Sequence, residues 1–473
     1  MYVMKLTFYG GCGETTGSNY VLESAAGPDG KTMKIMVDCG LHQGGHYAER
    51  ENFEPFAYDA KSITAVFVTH SHLDHIGRLP SLIRAGFTGK IYSTGATKDF
   101  AESMLLDSEH LLMKEAEREG KMPLYNNDDI MEVRRQWEGL NYHQPIEVGD
   151  FKDGRGFRVE LLDAGHILGS AIVKIQFMEG DGGGSSAPKT IVFSGDLGNF
   201  PAPIIQPTEM IDTPVDYCVV ESTYGDRVHE NVDQRKEQLE RAIETTVKAG
   251  GTLMIPTFAM ERTQELLYHF HQLFEEGRIP RVPVFIDSPL AIKLTAVYKK
   301  HESYFNKETE HIARSGDDIL NFPGLRLTLT TEQSKEINGV NPPKVVVAGS
   351  GMSNGGRILH HEQRYLPDPK STILFIGYQA AGSLGRQILD GAQEVRIFGE
   401  TIPVRAKVIN IPGYSAHADQ PRLLEWVSHM RHTLKKVFVV QGESQSSEAL
   451  MHRIIDQFAV PTEVPKLGES VEL

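Results

Sequence analysis

The sequence predicts an α/β protein in two domains, and three observations carry that expectation. At 473 residues the chain is too long for one compact core, so two domains are the natural division. Through the first ~200 residues short apolar runs alternate with turn residues, as strands do. From about residue 226 strands alternate with helices, which indicates a parallel sheet with crossovers.

Taken in order, "KLTFYG", "MKIMVDCG", "AVFVTH", "FRVELLDAGH", "AIVKIQF", "TIVFSGDLG" and "DYCVVESTYG" are rich in Val, Ile and Phe and are closed by Gly, Asp or Asn. Several end in a residue able to do chemistry: Asp38, His70, His166, Asp196 and Glu221. Strand ends that feed loops on one sheet edge are where α/β proteins build sites. Residues 97–137 turn helical, with charges and leucines at three and four spacing. "EGDGGGSSAPK" reads as a flexible loop between two strands. Further on, "QRKEQLERAIETTVKA" and "ERTQELLYHFHQLFEE" are helical, and "GTLMIP", "VPVFID", "PKVVVAGSG" and "STILFIG" are strands. After about residue 405, "AKVINIPGYSAH", "DQPRLLEWVSHM" and "KKVFVVQGES" return to short strands with helices between. No internal repeat is present.

Composition narrows the function. A hydrophobic content of 40% with 23% charged residues is that of an ordinary globular chain. The formal net charge of -15 excludes capture of nucleic acid through an overall positive field, so a polyanion must be held locally, by metal or a few arginines. Cys12, Cys39 and Cys218 are widely spaced with no CxxC, which argues against a disulfide framework or a cysteine zinc site and for small buried hydrophobes. "MYVMKLTFYGG" lacks the features of a secretory signal, and no apolar run reaches the ~18 residues of a membrane span, so a cytoplasmic protein without a membrane partner is expected.

The densest chemistry lies in "THSHLDHIG", directly after the apolar run "ITAVFV". His70 and His72 leave the strand together, while Asp74 and His75 sit on the turn that starts a helix. Imidazole and carboxylate are both good zinc ligands, so one metal can take the first pair and a second metal the other. His166 in "DAGHILGS" can complete the first metal, and Asp196 in "FSGDLGN" can bridge the two, since a carboxylate has two oxygens and imidazole cannot bridge.

The order Asp38, "HSHLDH", His166, Asp196 resembles the metallo-β-lactamase fold, an αββα sandwich with a two-metal site on one edge. "ESTYGDR", "TFAMERTQELL", "GSGMSNGGR", "GYQAAGSLGR" and "GYSAHAD" resemble its β-CASP branch, over nearly the whole chain. That branch includes the endonuclease subunit of the cleavage and polyadenylation specificity factor and its prokaryotic relatives. The resemblance implies an inserted β-CASP α/β domain, with the metallo-β-lactamase domain at 1–225, β-CASP at 226–404 and the first domain resuming at 405–473. It implies His70, His72 and His166 on a first metal, Asp74 and His75 on a second, and Asp196 between them. It also implies that Asp38 orients the metal-binding loop. Glu221 and His417 match two β-CASP motifs and, with Asp74, form the implied catalytic group.

One residue departs from the pattern. RNA-acting members commonly carry a histidine before Gly-Glu that ligates the second metal, and here "VFVVQGES" places Gln441 there. An amide oxygen is a weaker, uncharged ligand, so the second position is expected to be looser or to take a harder ion such as Mn²⁺. DNA-acting members typically carry an apolar residue at this point.

The implied function is hydrolysis of phosphodiester bonds in single-stranded RNA by a hydroxide bridging two zinc ions, with Mn²⁺ as the alternative metal. His417, held by Glu221, is the candidate general acid. "GSGMSNGGR" fails the G-x-G-x-x-G and P-loop tests, yet Ser350, Ser353 and Arg357 can cradle a strand phosphate, or the segment can be a plain tight turn. Arg262 and Arg386 are further candidate phosphate contacts, and Tyr224 and Tyr378 candidate stacking platforms. The pairs His42 with His46 and His360 with His361 have no matching partners and are set aside. A homodimer through the β-CASP domain is implied. Two other functions stay open: a small ester or thioester hydrolase, and a weakly active scaffold paralogue.

Overall fold

The computed structural model describes residues 4–24, 32–43, 50–120, 122–152, 155–178, 187–229, 234–380 and 382–473. Most of the glycine- and serine-rich segment and His46 lie outside these. The chain divides into two units, one of Met1–Phe200, Pro207–Val228 and His417–Leu473, the other of Pro201–Gln206 and His229–Ala416.

The first unit is built on two seven-stranded sheets. One runs Ser470–Glu472, Lys5–Phe8, Tyr20–Glu23, Lys34–Val37, Ile63–Phe67, Lys90–Thr94, Trp137–Leu140. The other runs Thr462–Glu463, Lys436–Val440, Tyr217–Glu221, Lys189–Phe193, Ala171–Phe177, Arg155–Asp163, Ile146–Asp150. Alternation along the strands sends Leu6, Phe8, Ile35 and Phe67 from the first sheet into one core with Phe157, Val173, Phe193 and Phe438 from the second. Phe8 meets Phe438 at 5.3 Å between ring centroids, and Tyr20 stacks on Phe193 at 5.8 Å. Each such ring taken from water contributes ~2 kcal/mol, which holds the sheets face to face.

The outer faces are covered by helices. Met36, Val66 and Ile91 pack on Leu82, Leu105 and Ile130 of the helices Leu79–Arg84, Gly95–Glu119 and Asn127–Gln136. Val192, Val220 and Val439 pack on Trp426 and Leu450 of Gln420–Met430 and Ser444–Phe458. This is an αββα sandwich. The single helical tract expected over 97–137 is two helices, because Gly120 takes a left-handed φ of 65° that stops the first, and a capping box at Asn126 and Asp129 starts the second.

The second unit holds a six-stranded, all-parallel sheet in the order Leu325–Leu327, Val284–Asp287, Lys344–Ala348, Thr252–Pro256, Thr372–Phe375, Lys407–Asn410. The central strands are buried along their whole length, as parallel strands covered on both faces must be. The last strand lies beyond the position 404 at which sequence rhythm places the return to the first domain. It pairs in register with Thr372–Phe375, so the second unit's sheet continues past that point.

No helix among the described residues is long and apolar enough to cross a membrane. Burial pushes the thiols of Cys12 and Cys39 up to about 12, and that of Cys218 higher still, which suits inert packing residues.

Glu362, on the helix Ile358–Tyr365, is fully buried. One oxygen lies 2.5 Å from Ser353 Oγ, and the other has no hydrogen-bond partner. Burial pushes the carboxyl up to about 8 against the pull of the Ser353 hydroxyl. A carboxyl raised above its unfolded value of 4.5 contributes stability that is complete below that value and drains as pH rises toward 8. Glu362→Gln stays neutral throughout. Urea melts at about pH 5 and about pH 8 are expected to show the variant gaining on wild type between them, by roughly 1.4 kcal/mol per unit of the window. An unchanged gap would show that the carboxyl is ionised in the fold.

Candidate metal centre

The candidate residues of the first unit gather because their strands all end at one edge. Asp38 follows Lys34–Val37, His70 lies just beyond Ile63–Phe67, His166 beyond Arg155–Asp163 and Asp196 beyond Lys189–Phe193. Glu221 ends its strand, and Gln441 follows Lys436–Val440. Two glycines let these loops touch: a Cβ on Gly40 would lie 1.5 Å from Asp74 O, and one on Gly198 would lie 1.7 Å from Gly165 O.

Asp38 fixes the histidine loop from behind. It adopts a left-handed φ of 59°, an uncommon conformation for a residue with a side chain. Its carboxylate accepts from Thr69 N at 2.8 Å, from Thr69 Oγ1 at 2.8 Å and from His75 Nδ1 at 2.7 Å. With its own proton committed to Asp38, Thr69 Oγ1 accepts from His70 Nδ1 at 3.1 Å. His70 and His75 therefore turn Nε2 toward the centre, the atom each would offer as a lone pair to a bound cation. Sequence reading missed Thr69; its place immediately before the first histidine was the one available signal.

Four ligand atoms converge. His70 Nε2 lies 3.0 Å from His72 Nδ1, and His166 Nε2 lies 3.3 Å from the same atom. Asp196 Oδ2 stands 3.4 Å from His70 Nε2 and 3.5 Å from His166 Nε2. Ligands at ~2.0 to 2.1 Å around a tetrahedral ion are ~3.3 Å apart, so this spacing fits one metal. The donor chemistry fits as well. Burial and the neighbouring imidazoles hold His72 and His166 well below the usual histidine range, so both rings are neutral. Burial works against the Asp196 charge, but positive charge on His75, His70 and His417 outweighs it and holds the carboxyl well below its usual range, a role that a bound cation would take over from the first two.

Asp74 and His75 stand outside that group. His75 Nε2 is 3.3 Å from Asp196 Oδ1 and 3.8 Å from Asp74 Oδ2. Gln441 joins them: its Nε2 donates to Asp196 Oδ1 at 3.0 Å and lies 2.9 Å from His75 Nε2.

Glu221 is fully buried, and Oε1 accepts from Leu197 N at 2.6 Å. His417 Nδ1 lies 3.2 Å from Glu221 Oε2 and 3.8 Å from Asp196 Oδ2. Burial lowers the imidazole, but the Glu221 and Asp196 carboxylates outweigh it and raise the ring to about 9. Tyr224 sets its ring at 75° to that of His417, 6.0 Å away, with the Arg227 guanidinium 5.4 Å from the Tyr224 centroid.

Within the second unit the expected phosphate contacts are mostly committed elsewhere. Ser353 is fully buried against Glu362, which corrects its reading as a phosphate ligand. Arg262 is likewise corrected: it is buried and paired with Glu265. Arg357 is bonded to Asp287 Oδ1 at 2.8 Å and to the carbonyls of Thr328 and Leu329 at 2.9 and 3.1 Å. Ser350 Oγ accepts from Asn354 N at 3.1 Å and Ser350 N donates to Gly355 O at 3.1 Å, the bonding of a tight turn. Arg386 lies on the surface beside Asp390 at 2.9 Å, and Tyr378 is exposed. His361, set aside from the sequence, bonds Asp287 at 2.7 Å, and His42 lies 3.0 Å from Glu14.

Comparison with known proteins accounts for this arrangement. Residues 29–181 match the metallo-beta-lactamase superfamily domain, 263–388 the Beta-Casp domain, and 401–465 the Zn-dependent metallo-hydrolase RNA specificity domain. Ribonuclease TTHA0252 of Thermus thermophilus is 36% identical over 448 residues, 94% of this chain and 95% of that one. The chain belongs to the β-CASP branch of the metallo-β-lactamase superfamily. This β-CASP chain is also similar to the transcription termination factor FttA of Methanocaldococcus jannaschii, at 30% identity over 98% of this chain and 71% of that one. An RNase J-like protein of the same organism is 29% identical over 98% and 99%. A solved protein of unknown function from Enterococcus faecalis V583 shares the fold, with a TM-score of 0.58 at 15% identity over 100% of both chains. The fold is metal-dependent, and the residues of the first unit that could hold an ion are His70, His72, His166 and Asp196.

Asp38→Asn tests the support behind the cluster. Its amide cannot accept all three hydrogen bonds, so zinc affinity, read by competition with a chelating dye, is expected to fall roughly 10- to 100-fold. Unchanged affinity would show that the loop holds itself.

Proposed function

We propose that this chain is a metal-dependent ribonuclease that hydrolyses phosphodiester bonds of single-stranded RNA. The carrying observation is the convergence of His70, His72, His166 and Asp196, with neighbouring ligand atoms 3.0 to 3.5 Å apart, beside His417 and the buried Glu221 that holds it. The RNA assignment is supported by the RNA specificity domain match and by relatives named as a ribonuclease and an RNase J-like protein.

Three imidazole nitrogens and one carboxylate oxygen in a tetrahedral spacing favour zinc, with Mn²⁺ the alternative ion. A bound zinc supplies Lewis acidity to a phosphoryl oxygen and acidifies water at neutral pH.

The chain supplies the rest. Glu221, held by the Leu197 amide, anchors His417 through Nδ1. The ring's other nitrogen, Nε2, then delivers a proton to the oxygen that leaves phosphorus, where negative charge builds as the bond breaks. Replacement of Glu221 would free the ring to turn and would remove the charge that keeps it protonated. Asp196, held in its ionised form, favours a cation there.

The test uses a 5′-labelled single-stranded RNA and the DNA of the same sequence, with zinc-loaded protein. Wild type is expected to cut RNA and His72→Ala to leave it intact. His417→Ala is expected to keep its zinc while turnover falls roughly 10²- to 10⁴-fold. Intact RNA with zinc-loaded wild type would overturn the proposal.

A further inference from the structure

The second metal position is where this chain departs from what its fold implies. Three ligand-type side chains are present there, Asp74, His75 and Asp196, and the fourth group is Gln441. Its amide nitrogen stands 3.0 Å from Asp196 Oδ1 and 2.9 Å from His75 Nε2, while those two atoms are 3.3 Å apart. The atoms a second ion would need thus share one neighbour, a neutral N–H₂ group. His75 commits Nδ1 to Asp38, so in its neutral form its Nε2 accepts from the amide, as Asp196 Oδ1 does. A cation entering here must break both hydrogen bonds and would gain in exchange only an amide oxygen, a weak ligand without charge.

Gln441 is also held in place. It is 2% exposed, and its backbone adopts a left-handed φ of 49°. Its N–H donates to Gly11 O at 2.7 Å, and its carbonyl accepts from Ser222 N at 3.3 Å and Thr223 Oγ1 at 3.2 Å. On the other side its Cγ packs at Gly11, where an added Cβ would lie 3.2 Å from it and 2.6 Å from the Tyr20 hydroxyl. Withdrawal of the amide therefore meets a wall of packed atoms and costs buried hydrogen bonds. Among the described residues no comparable group stands at the first position, where four ligand atoms face one another directly.

We infer that Gln441 closes the second metal position, so that this chain retains one tightly bound transition metal, at His70, His72, His166 and Asp196. The inference rests on the reading of that cluster as a metal site, and not on RNA being the substrate. The side-chain amide takes the place that a second cation would fill, bridging His75 and Asp196 by hydrogen bonds. Residue 441 thereby sets how many metals the centre holds.

Metal content tests this without any substrate. Wild type, His72→Ala and Gln441→His are loaded with excess zinc, passed through gel filtration, and read by native mass spectrometry and elemental analysis. Wild type is expected to retain about one zinc per chain, His72→Ala to lose it, and Gln441→His to retain about two, because imidazole supplies the missing ligand. Two zinc ions retained by wild type would overturn the inference, as would a single zinc that survives His72→Ala. No zinc in wild type would overturn both this inference and the metal-centre reading, while failure to cut RNA with one zinc bound would overturn only the ribonuclease proposal. Should Gln441→His fail to fold, Gln441→Ala opens the same space. Its second zinc is expected to bind at least about tenfold more tightly than that of wild type, and an unchanged second affinity would contradict the role given to residue 441.

Discussion

A buried carboxylate is the constraint around which this centre is arranged. Asp196 is 2% exposed, and each of its oxygens faces a different set of groups. Oδ2 looks toward His70, His166 and His417, and Oδ1 toward His75 and Gln441. An ionised group so far from water is tolerable only if cations or strong donors surround it. Three of its neighbours, His70, His166 and His72, turn ring nitrogens to the same point, an arrangement that a positive ion stabilises. Packing and charge thus mark this point as the candidate metal position before any comparison with relatives.

The rest of the first unit serves that point. Parallel and antiparallel pairings bring the carboxyl ends of Lys34–Val37, Ile63–Phe67, Arg155–Asp163, Lys189–Phe193, Tyr217–Glu221 and Lys436–Val440 to one edge, so each of six loops contributes its residue within a few positions of a strand end. Gly40 and Gly198 allow backbone to touch backbone where two of these loops meet. Asp38 and Glu221 then act as buried anchors, one for His75 and Thr69, the other for His417. Each accepts hydrogen bonds that at the same time fix the orientation of the histidine it holds.

Much of this was legible in the sequence, because the signals were local. "THSHLDHIG" crowds ligand types immediately after a strand, and the strand-end residues Asp38, His166, Asp196 and Glu221 announce themselves by position. Short strands such as Tyr20–Glu23 and Lys90–Thr94 were not legible, since four or five residues with mixed polarity carry no clear period. The strand Lys407–Asn410 looked like a return to the first domain, as its sheet is decided by pairing with Thr372–Phe375 and not by its own residues. Ser353 and Arg262 were misread because a serine or arginine next to a glycine-rich or helical motif looks the same whether it faces solvent or a buried glutamate. Gln441 was visible as a departure. That its amide lies between His75 and Asp196 depends on a left-handed backbone and on Gly11 behind it, which only the fold reveals.

The most direct test of the account is the zinc-edge X-ray absorption spectrum of protein loaded with one equivalent of zinc. The expected shell is three imidazoles and one carboxylate oxygen at ~2.0 to 2.1 Å, the set that His70, His72, His166 and Asp196 provide, with a further oxygen from water in the position left open for catalysis. A shell with one imidazole or none, or with sulfur, would contradict it, because the ion would then sit somewhere other than the point on which these four side chains converge.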